Sequence, residues 1–172
     1  MAEEATPLPT RSNQPVGTRA GAVPGLLDNV SKAIVEELQQ DGRRTYGAIA
    51  EAVGLSEAAV RQRVQKMRDA GIMQIVAVTD PLQVGFRSQA MVGIRAEGDA
   101  RTVAERLCAV PDIDYVVLCT GSFDILVELV CENEDGLLEL LNGVIRQIPG
   151  VRDTEVFFYL KLAKQTYTWG TR

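Results

Sequence analysis

Histidine is absent from this sequence of 172 residues. Without an imidazole, the chain cannot form Ser-His-Asp or Cys-His catalytic sites, His-x-x-x-His metalloprotease sites or Cys/His zinc fingers. Cysteine is also rare, and Cys108, Cys119 and Cys131 lie in apolar surroundings without the paired spacing of metal ligands. The sequence therefore predicts reduced, buried thiols, with no catalytic site, no metal and no cofactor.

Long apolar runs are missing too, because no segment approaches the roughly 20 continuous apolar residues of a membrane helix. Hydrophobic residues make up 46% of the chain, which is typical of a soluble globular protein with room for two small domains. Residues 1–23 are rich in Pro, Gly, Ala, Thr and Ser, and they are predicted to be a disordered tail rather than a signal peptide. We therefore expect a cytoplasmic protein that does not associate with a membrane.

The net charge of −5 argues at first against a nucleic-acid partner, but the charges are unevenly distributed. Acidic residues crowd the C-terminal half. Basic residues cluster between positions 43 and 68, where the sequence has Arg43, Arg44, Arg61, Arg63, Lys66 and Arg68. Because phosphate binding requires a positive surface locally rather than a basic protein as a whole, nucleic acid remains a candidate partner.

Residues 41–71 carry the pattern of two short helices separated by a tight link. In the first helix, apolar residues recur at positions 46, 49, 50 and 53, and Gly54 can adopt the left-handed conformation that closes a helix. Ser56 then starts a second helix, because its hydroxyl can accept a hydrogen bond from an unpaired amide of the first turn. The buried stripe of that helix is predicted to be Val60, Val64 and Met67. This arrangement indicates a helix-turn-helix.

The side of the second helix opposite its buried stripe is polar. It carries Ala58, Gln62, Gln65 and Asp69, with Arg61 and Arg63 on its two shoulders. Glutamine amides suit base edges in the major groove of DNA, and cations suit phosphates. The pattern therefore predicts a DNA-recognition helix. The alternative is a pair of core helices with a solvated, charged face.

Further elements complete this first domain, which is predicted to span residues 24–80. An amphipathic helix over residues 27–38 precedes the motif, and Asp28 or Asn29 could cap it while Gly42 could end it. After Gly71, residues 72–79 favour β structure, so we expect a wing or a connecting strand there. Residues 81–88 are then predicted to be an interdomain linker.

Residues 89–172 alternate between strand and helix patterns. Strands are predicted at residues 90–97, 115–120, 125–131 and 156–162, and helices at residues 100–108 and 134–148. The second helix is expected to bury Leu137, Leu138, Leu141, Val144, Ile145 and Ile148. The order βαββαβ is the ferredoxin-like arrangement, in which both helices cover one face of an antiparallel sheet. The predicted fold class is therefore α+β: a winged helix-turn-helix with three helices, followed by a ferredoxin-like domain.

The predicted strands are apolar on nearly every residue, for example at Val116-Val117-Leu118 and at residues 156–160. A sheet with helices on one face only would then expose a large apolar surface. The sequence therefore predicts a homodimer formed through the open sheet face. Such a dimer would hold two recognition helices one turn of DNA apart, as a pseudo-palindromic site requires.

Several motifs together resemble the Lrp/AsnC family of bacterial and archaeal transcription regulators, the feast/famine regulatory proteins. They are Asp41-Gly42-Arg43-Arg44-Thr45-Tyr46, Val53-Gly54-Leu55-Ser56, Val60-Arg61-Gln62-Arg63-Val64, Ala70-Gly71-Ile72 and Thr120-Gly121-Ser122-Phe123-Asp124. The resemblance runs from about Leu27 to Trp169. Ser31 departs from it, because the family usually has an acidic residue there, and this departure puts a local helix contact in question.

The resemblance implies a dimer-based regulator that often assembles into octamers around which DNA can wrap, and that responds to an amino acid or a related metabolite. Family effectors commonly bind between dimers near a Gly-x-x-Asp hairpin, which corresponds here to Gly121, Ser122, Phe123 and Asp124. Glycine lets an α-carboxylate approach backbone amides, and a carboxylate suits an α-ammonium. The alternative is a hairpin turn in which Asp124 bonds only the local backbone.

The predicted contacts with double-stranded DNA fall into two groups. Positioning contacts with phosphates are expected at the start of the second helix, from Arg43, Arg44, Thr45 and Tyr46, with Thr45 also a candidate helix cap. Base contacts are expected from the recognition helix, which begins with Ser56 and Glu57 and presents Ala58, Gln62 and Gln65. Arg61 or Arg63 could instead bond guanine, and Arg63 could equally make a phosphate or intradomain contact.

Two other classes of protein compete with this interpretation. Sirohaem decarboxylases resemble the same two-domain architecture, but their proposed catalysis depends on histidine, so an enzyme is disfavoured. A metabolite-binding or oligomerisation protein that has lost its affinity for DNA is disfavoured by the intact arginines around Ser56.

Overall fold

A computed structural model of the protein describes residues 27–171, which form two compact units. The first unit contains the residues up to Val78 together with those from Ala163 onward, and the second contains Thr79–Leu162. The disordered tail predicted for residues 1–23 lies outside the described residues. Within the described range, no helix is long and apolar enough to cross a membrane.

Three helices form the first unit, as predicted. They are α1 Asn29–Gln40, α2 Tyr46–Val53 and α3 Glu57–Asp69. Each begins behind a side chain that accepts a hydrogen bond from an otherwise unpaired backbone amide, and these side chains are Asp28, Thr45 and Ser56. The caps predicted at Thr45 and Ser56 are confirmed, and α1 is capped by Asp28 rather than by Asn29.

The ends of α1 and α2 differ in kind. Gly54 closes α2 as predicted: its φ of 69° lies in the left-handed region that strains any residue with a side chain. α1 ends before Gly42, because Asp41 is extended and its carboxylate accepts a hydrogen bond of 2.8 Å from the N–H of Arg43. A side-chain acceptor of this kind competes with the helical hydrogen bonds and terminates the helix.

One apolar core holds the three helices together. The stripe predicted for α3 is buried completely, and Val60 and Val64 pack in the same cluster as Ile34 of α1 and Ile49 of α2. Each fully buried aliphatic side chain contributes about 1.5–3 kcal/mol, which is more than a surface ion pair contributes. This core therefore fixes the rotation of α3 about its own axis.

The strand or wing predicted for residues 72–79 is wrong. The segment contains no strand, and it leaves Ile75, Val76 and Val78 exposed at 42%, 66% and 57%. A β-strand requires a neighbouring strand to pair with its backbone N–H and C=O groups. No described residue forms a strand with this segment, so its β-favouring composition alone does not produce one.

The second unit has the predicted ferredoxin-like order of elements. They are β1 Ser88–Ala96, α4 Ala100–Cys108, β2 Ile113–Leu118, β3 Ile125–Cys131, α5 Glu134–Glu139 and β4 Val151–Phe158. Paired strands are antiparallel, and the order across the sheet is β2-β3-β1-β4.

Some boundaries in the second unit differ from those predicted. β1 begins at Ser88, inside the predicted linker, and Pro81–Val84 of that linker form a short 3-10 turn. β2 begins and ends two residues earlier than predicted. β4 covers residues 151–158 instead of 156–162, because its pairing with β1 starts directly after the turn at Gly150.

The second helix of this unit is less regular than predicted. α5 continues as one π turn over Leu140–Val144 and a 3-10 turn over Ile145–Gln147. The wider π turn changes which side chains face the sheet. Val144, at the end of the π turn, was predicted to be buried and is 37% exposed. Leu138, also predicted to be buried, is 56% exposed; it lies in the regular helix before the turn. The remaining predicted positions are buried or half-buried.

Strand register assigns each side chain to one of two sheet faces, since directly paired residues point the same way. The face covered by helices contains the apolar core, including Val92 and Val127. The two adjacent phenylalanines of β4 separate: Phe158 pairs with Ala90 toward the helices, whereas Phe157 pairs with Met91 on the outer face.

The outer face is more polar than the sequence predicted. It combines apolar side chains such as Phe157 with five polar or charged ones, Gln89, Arg95, Glu128, Asp153 and Glu155. Gln89 donates a hydrogen bond of 2.9 Å to Glu128. Burial, together with the charge of Glu128 and a hydrogen bond to it, raises the pKa of Tyr159 to about 12.

Only one of the three cysteines is buried. Burial raises the pKa of the Cys131 thiol, with the nearby charge of Asp112 acting in the same direction. Cys119 is half-buried. Cys108 is exposed, contrary to the prediction, because it is the last residue of α4 and lies outside the buried stripe of that helix.

The C-terminal segment, residues 163–171, lies with the three helices in the first unit. The backbone N–H of Gly170 donates a hydrogen bond of 3.1 Å to the side chain of Gln39 on α1. The hydroxyl of Thr171 donates to the carboxylate of Glu36, one helical turn earlier. Within residues 27–171, the chain therefore passes from one unit to the other after Val78 and back after Leu162.

Candidate DNA interface and effector hairpin

The exposed face of α3 carries the residues predicted to read bases. Ala58, Gln62 and Gln65 are all exposed, while the opposite face of the helix is buried. The amide of Gln65 donates a hydrogen bond of 2.7 Å to Asp69, but Gln62 has no partner among the described residues. The face thus presents the hydrogen-bonded amide of Gln65 and the free amide of Gln62 beside the small side chain of Ala58.

Two of the predicted phosphate contacts are held in ion pairs with neighbouring acids. Arg44 pairs with Glu37 of α1, and Arg61 pairs with Glu57 at 2.7 Å. The guanidinium of Arg61 also lies 5.2 Å from the centre of the Tyr46 ring. Because an exposed pair such as Arg61–Glu57 contributes only about 0–1 kcal/mol, a phosphate can replace that carboxylate at little cost. Glu37 is half-buried, so the pair that it forms with Arg44 is the more costly one to break.

Arg63 makes an intradomain contact, which is one of the alternatives left open by its sequence. Its guanidinium donates to the carboxylate of Asp28 at 2.8 Å and to the hydroxyl of Ser31 at 3.0 Å. These bonds join the middle of α3 to the start of α1. Ser31 is buried and takes part in the contact that its departure from the family pattern had put in question, while Asp28 supplies the negative charge.

The carboxylate of Asp28 is held by both helices. One oxygen accepts a hydrogen bond of 2.7 Å from the N–H of Ser31, and the other accepts from Arg63. The hydrogen bond from the Ser31 backbone, followed by the one from Arg63, lowers the pKa of Asp28 to about 2. The ion pair with Arg63 and the helix-capping hydrogen bond from Ser31 favour the same position of Asp28, because both stabilise its ionised carboxylate.

Within the helix-turn-helix, residues 41–71, three exposed cations have no ion pair with a described residue: Arg43, Lys66 and Arg68. Arg43 precedes α2, and the other two lie in the last turn of α3. Lys66 and Arg68 were absent from the predicted contact set, although they follow Gln62 and Arg61 at intervals of four and seven residues. That helical spacing is the signal by which they could have been found.

The hairpin at residues 119–124 is closed by backbone hydrogen bonds. The N–H of Cys119 donates to the carbonyl of Asp124, and the N–H of Asp124 donates to the carbonyl of Ile94 on β1, both at 2.9 Å. Gly121 has a φ of 129°, which side chains rarely tolerate. The glycine is therefore required by the turn itself, whatever ligand approaches it.

Asp124 has a structural contact. One of its carboxylate oxygens accepts a hydrogen bond of 2.8 Å from the N–H of Ala96, where the pairing of β1 with β4 shifts register. A bulge of this kind leaves a backbone group without a ladder partner, and the carboxylate supplies one. The contact is thus with the backbone of β1 rather than with the local backbone of the turn, which was the alternative to effector binding, and it uses one of the two oxygens.

Phe123 is the hairpin residue that anchors the turn to the sheet. Its ring lies directly on Gly93 of β1, where an added Cβ would be 2.7 Å from the ring carbons. The ring packs edge-on against Phe157 at 5.9 Å between centres, and the guanidinium of Arg95 lies 4.6 Å from its centre. The absence of a side chain at Gly93 therefore creates the space into which the hairpin folds.

Arg95 was not predicted as a site residue. It donates to the carbonyl of Ser122 at 2.9 Å and to the carboxylate of Asp153 at 2.5 Å. A second ion pair, at 3.7 Å, joins it to Glu155. The sequence contains one signal for it: Arg95 lies two residues after Gly93 in a strand, so both are expected on the same face of the sheet.

Comparison with known proteins agrees with this geometry. Residues 27–68 match the AsnC-type helix-turn-helix domain, and residues 86–172 match a C-terminal dimeric alpha+beta barrel domain of AsnC-type transcription regulators. An HTH-type transcriptional regulator of Pyrococcus furiosus is 33% identical over 83% of this chain and 97% of its own length.

Solved structures with the same fold include two regulators that are each 27% identical to this chain. One is a transcriptional regulator from Neisseria meningitidis in complex with L-methionine, with a TM-score of 0.70 over 83% of this chain and 95% of that chain. The other is the leucine response regulatory protein LrpA of Mycobacterium tuberculosis, with a TM-score of 0.73 over 81% and 96%.

The fold together with the two matched domains places the chain in a class of DNA-binding transcription regulators. Within that class, the chain belongs to the Lrp/AsnC family.

Substitution of Gly93 tests the packing of the Phe123 ring against β1. We expect Gly93→Ala to lower the free energy of unfolding by about 1–3 kcal/mol, because the new methyl group overlaps the ring and displaces the hairpin. Urea unfolding followed by circular dichroism measures this change. Gly143→Ala is the control, since its added Cβ meets no heavy atom within 4 Å. Equal stability of Gly93→Ala and wild type would contradict the overlap.

Acid titration tests the contact between Asp28 and Arg63. Because the pKa of Asp28 falls from 3.8 to about 2 on folding, its contribution to stability is complete above pH 3.8 and is lost as the pH falls toward 2. The difference in Tm between wild type and Asp28→Asn should therefore shrink over this interval. Glu51→Gln removes an exposed carboxylate without a described partner and should show no such trend. A difference that is independent of pH would refute the assignment.

Proposed function

We propose that this protein binds specific DNA sequences through α3, as a dimer or higher oligomer, and responds to an amino acid or a related metabolite. The observation that carries the proposal is the two-sided character of α3. Its buried face fixes the helix in the domain, and its outer face presents Ala58, Gln62 and Gln65 to solvent. A rigidly held helix that presents a small alanine and two amides suits the base edges of the major groove.

The proposed phosphate contacts surround this reading face. Arg43, Arg44, Thr45 and Tyr46 lie at the N-terminus of α2, where backbone amides and the helix dipole favour an anion. Ser56 and Glu57 begin α3, and Arg61 exchanges Glu57 for a phosphate on binding. Lys66 and Arg68 extend the positive surface to the end of α3. Arg63 acts within the domain, since it is engaged by Asp28 and Ser31.

Variants of one reading residue and one positioning residue test the DNA interface. Gln62→Ala should weaken binding to the preferred site by about 1–3 kcal/mol and reduce specificity. Arg43→Ala should weaken binding to all sequences alike and flatten the salt dependence by about one unit of slope. Fluorescence anisotropy with operator and scrambled duplexes at several salt concentrations measures both effects.

The control for this experiment is Gln83→Ala, which changes an exposed glutamine in the 3-10 turn of the other unit. It should bind DNA like the wild type. If Gln62→Ala retains both the affinity and the sequence preference of the wild type, α3 does not read the site through this residue.

The outer face of the sheet supports the proposed dimer. Tyr115 and Phe157 are 52% and 44% exposed on this face, next to half-buried apolar neighbours. Apolar surface of this kind is normally covered by a partner. The polar residues on the same face have partners within the chain, so that burial leaves few of their groups unpaired. The matched family domain is a dimeric one, which supports a dimer here.

Adjacent phenylalanines of β4 provide a matched test of this interface. Phe157 and Phe158 are 44% and 43% exposed, but they lie on opposite faces. Phe157→Asp should place an unpaired charge in the interface and convert the dimer to monomer, at a cost of several kcal/mol. Phe158→Asp should leave the oligomeric state unchanged. Sedimentation velocity distinguishes the outcomes, and dimers of both variants would exclude the outer face.

The hairpin at residues 121–124 is the proposed effector site. Ser122 and Gly121 are exposed, and Asp124 keeps one oxygen without a hydrogen bond to any described residue. That oxygen suits the ammonium of an amino acid. Gly121 has no side chain, so a carboxylate can approach the backbone of the turn. The regulator from Neisseria meningitidis binds L-methionine on the same fold, which supports an amino-acid effector here.

Asp124→Asn tests this site while preserving the turn, because an amide oxygen can still accept the hydrogen bond from Ala96. If Asp124 holds an ammonium, the variant should lose about 1.5–3 kcal/mol of effector affinity, roughly ten- to hundredfold. Calorimetry with a panel of amino acids that includes methionine and leucine identifies the ligand in the wild type and then measures the loss. Asp112→Asn is the control. Unchanged effector affinity in Asp124→Asn would place the ligand elsewhere.

A further inference from the structure

A polar cavity lies at the start of β4, in the ferredoxin-like unit. It has a volume of about 210 Å³ and is lined by Arg146, Val151, Arg152, Asp153 and Thr154. At roughly 30 Å³ for each molecule of water, the cavity has the capacity of about seven waters. It is therefore large enough for a tetrahedral anion and a short substituent.

Arg146 is fixed in this cavity by neutral acceptors. Its Nε donates to the hydroxyl of Thr154 at 2.9 Å, and its Nη1 donates to the amide oxygen of Asn142 at 2.6 Å. Neither partner carries a charge. The guanidinium is thus oriented without being neutralised, and its remaining N–H groups stay available to a ligand.

Arg152 adds a second positive charge. It is exposed and has no hydrogen bond or ion pair with a described residue. The acid that lines the cavity, Asp153, is engaged elsewhere: one oxygen accepts from Arg95 at 2.5 Å and the other accepts from the N–H of Thr154 at 2.8 Å. The cavity therefore contains two guanidinium groups that no carboxylate of the described residues neutralises.

We propose that this cavity binds a phosphate group through Arg146 and Arg152. Guanidinium groups match phosphate oxygens in paired hydrogen bonds. A phosphate monoester dianion neutralises both arginines, whereas a carboxylate or a phosphodiester, with a single charge, neutralises only one of them. Thr154 and Asn142 hold Arg146 in place, and Arg152 closes on the ligand from solvent. The phosphate belongs either to a small phosphorylated molecule or to the backbone of bound DNA.

Titration of the full-length protein with inorganic phosphate at constant ionic strength tests the site. Calorimetry should show saturable binding to the wild type, and Arg152→Gln should weaken it at least tenfold. Arg101→Gln removes an exposed arginine of the same unit outside the cavity and should bind phosphate like the wild type. Thermal unfolding confirms that both variants are folded, as expected for positions whose side chains have no described partner.

A DNA titration then separates the two sources of phosphate. A flatter salt dependence in Arg152→Gln, by about one unit of slope, identifies a phosphate of the DNA backbone. An unchanged salt dependence, together with the loss of inorganic phosphate binding, identifies a small phosphorylated ligand. The proposal is overturned if inorganic phosphate binds the wild type with a Kd weaker than about 10 mM, or if it binds Arg152→Gln as tightly as the wild type. Because the phosphate titration contains no DNA, its result does not depend on the proposed function.

Discussion

The exclusion of water from one side of α3 is the constraint on which the DNA interface depends. Val60, Val64 and Met67 can be buried only in one rotation of the helix, and that rotation turns Ala58 and Gln62 outward. Polar contacts then adjust this position without determining it. Arg63 reaches back to the start of α1, so the helix is also held against sliding along its axis.

How well the sequence predicts the structure depends on how far apart the interacting residues lie. The caps at Thr45 and Ser56 and the left-handed Gly54 act within a few residues, and they are correct because local chemistry determines them. The contact between Asp28 and Arg63 spans 35 residues and follows from helix packing that no local pattern describes. The strand predicted at residues 72–79 is wrong for the same reason, because a strand forms only where a second segment pairs with it.

The candidate site shows the same division. Gly121 and Asp124 were identified from a short motif, but the reasons for their presence became visible only with the fold. Gly121 is required by the backbone conformation of the turn. Asp124 accepts a hydrogen bond from the N–H of Ala96 where the pairing of β1 with β4 shifts register. Arg95 was missed because its role depends on Ser122 and Asp153, which other strands and turns bring to it. The apolar pattern of residues 134–148 likewise did not predict the π turn at Leu140–Val144.

The return of the C-terminal segment to α1 makes the helical unit discontinuous in sequence. A helix-turn-helix of this kind cannot be exchanged between proteins by a single cut after Val78, because Gly170 and Thr171 would remain with the other unit. Recombination that preserves the contacts needs two junctions. A label attached to the side chain at position 171 would therefore report on α1 rather than on the sheet, because Thr171 bonds Glu36.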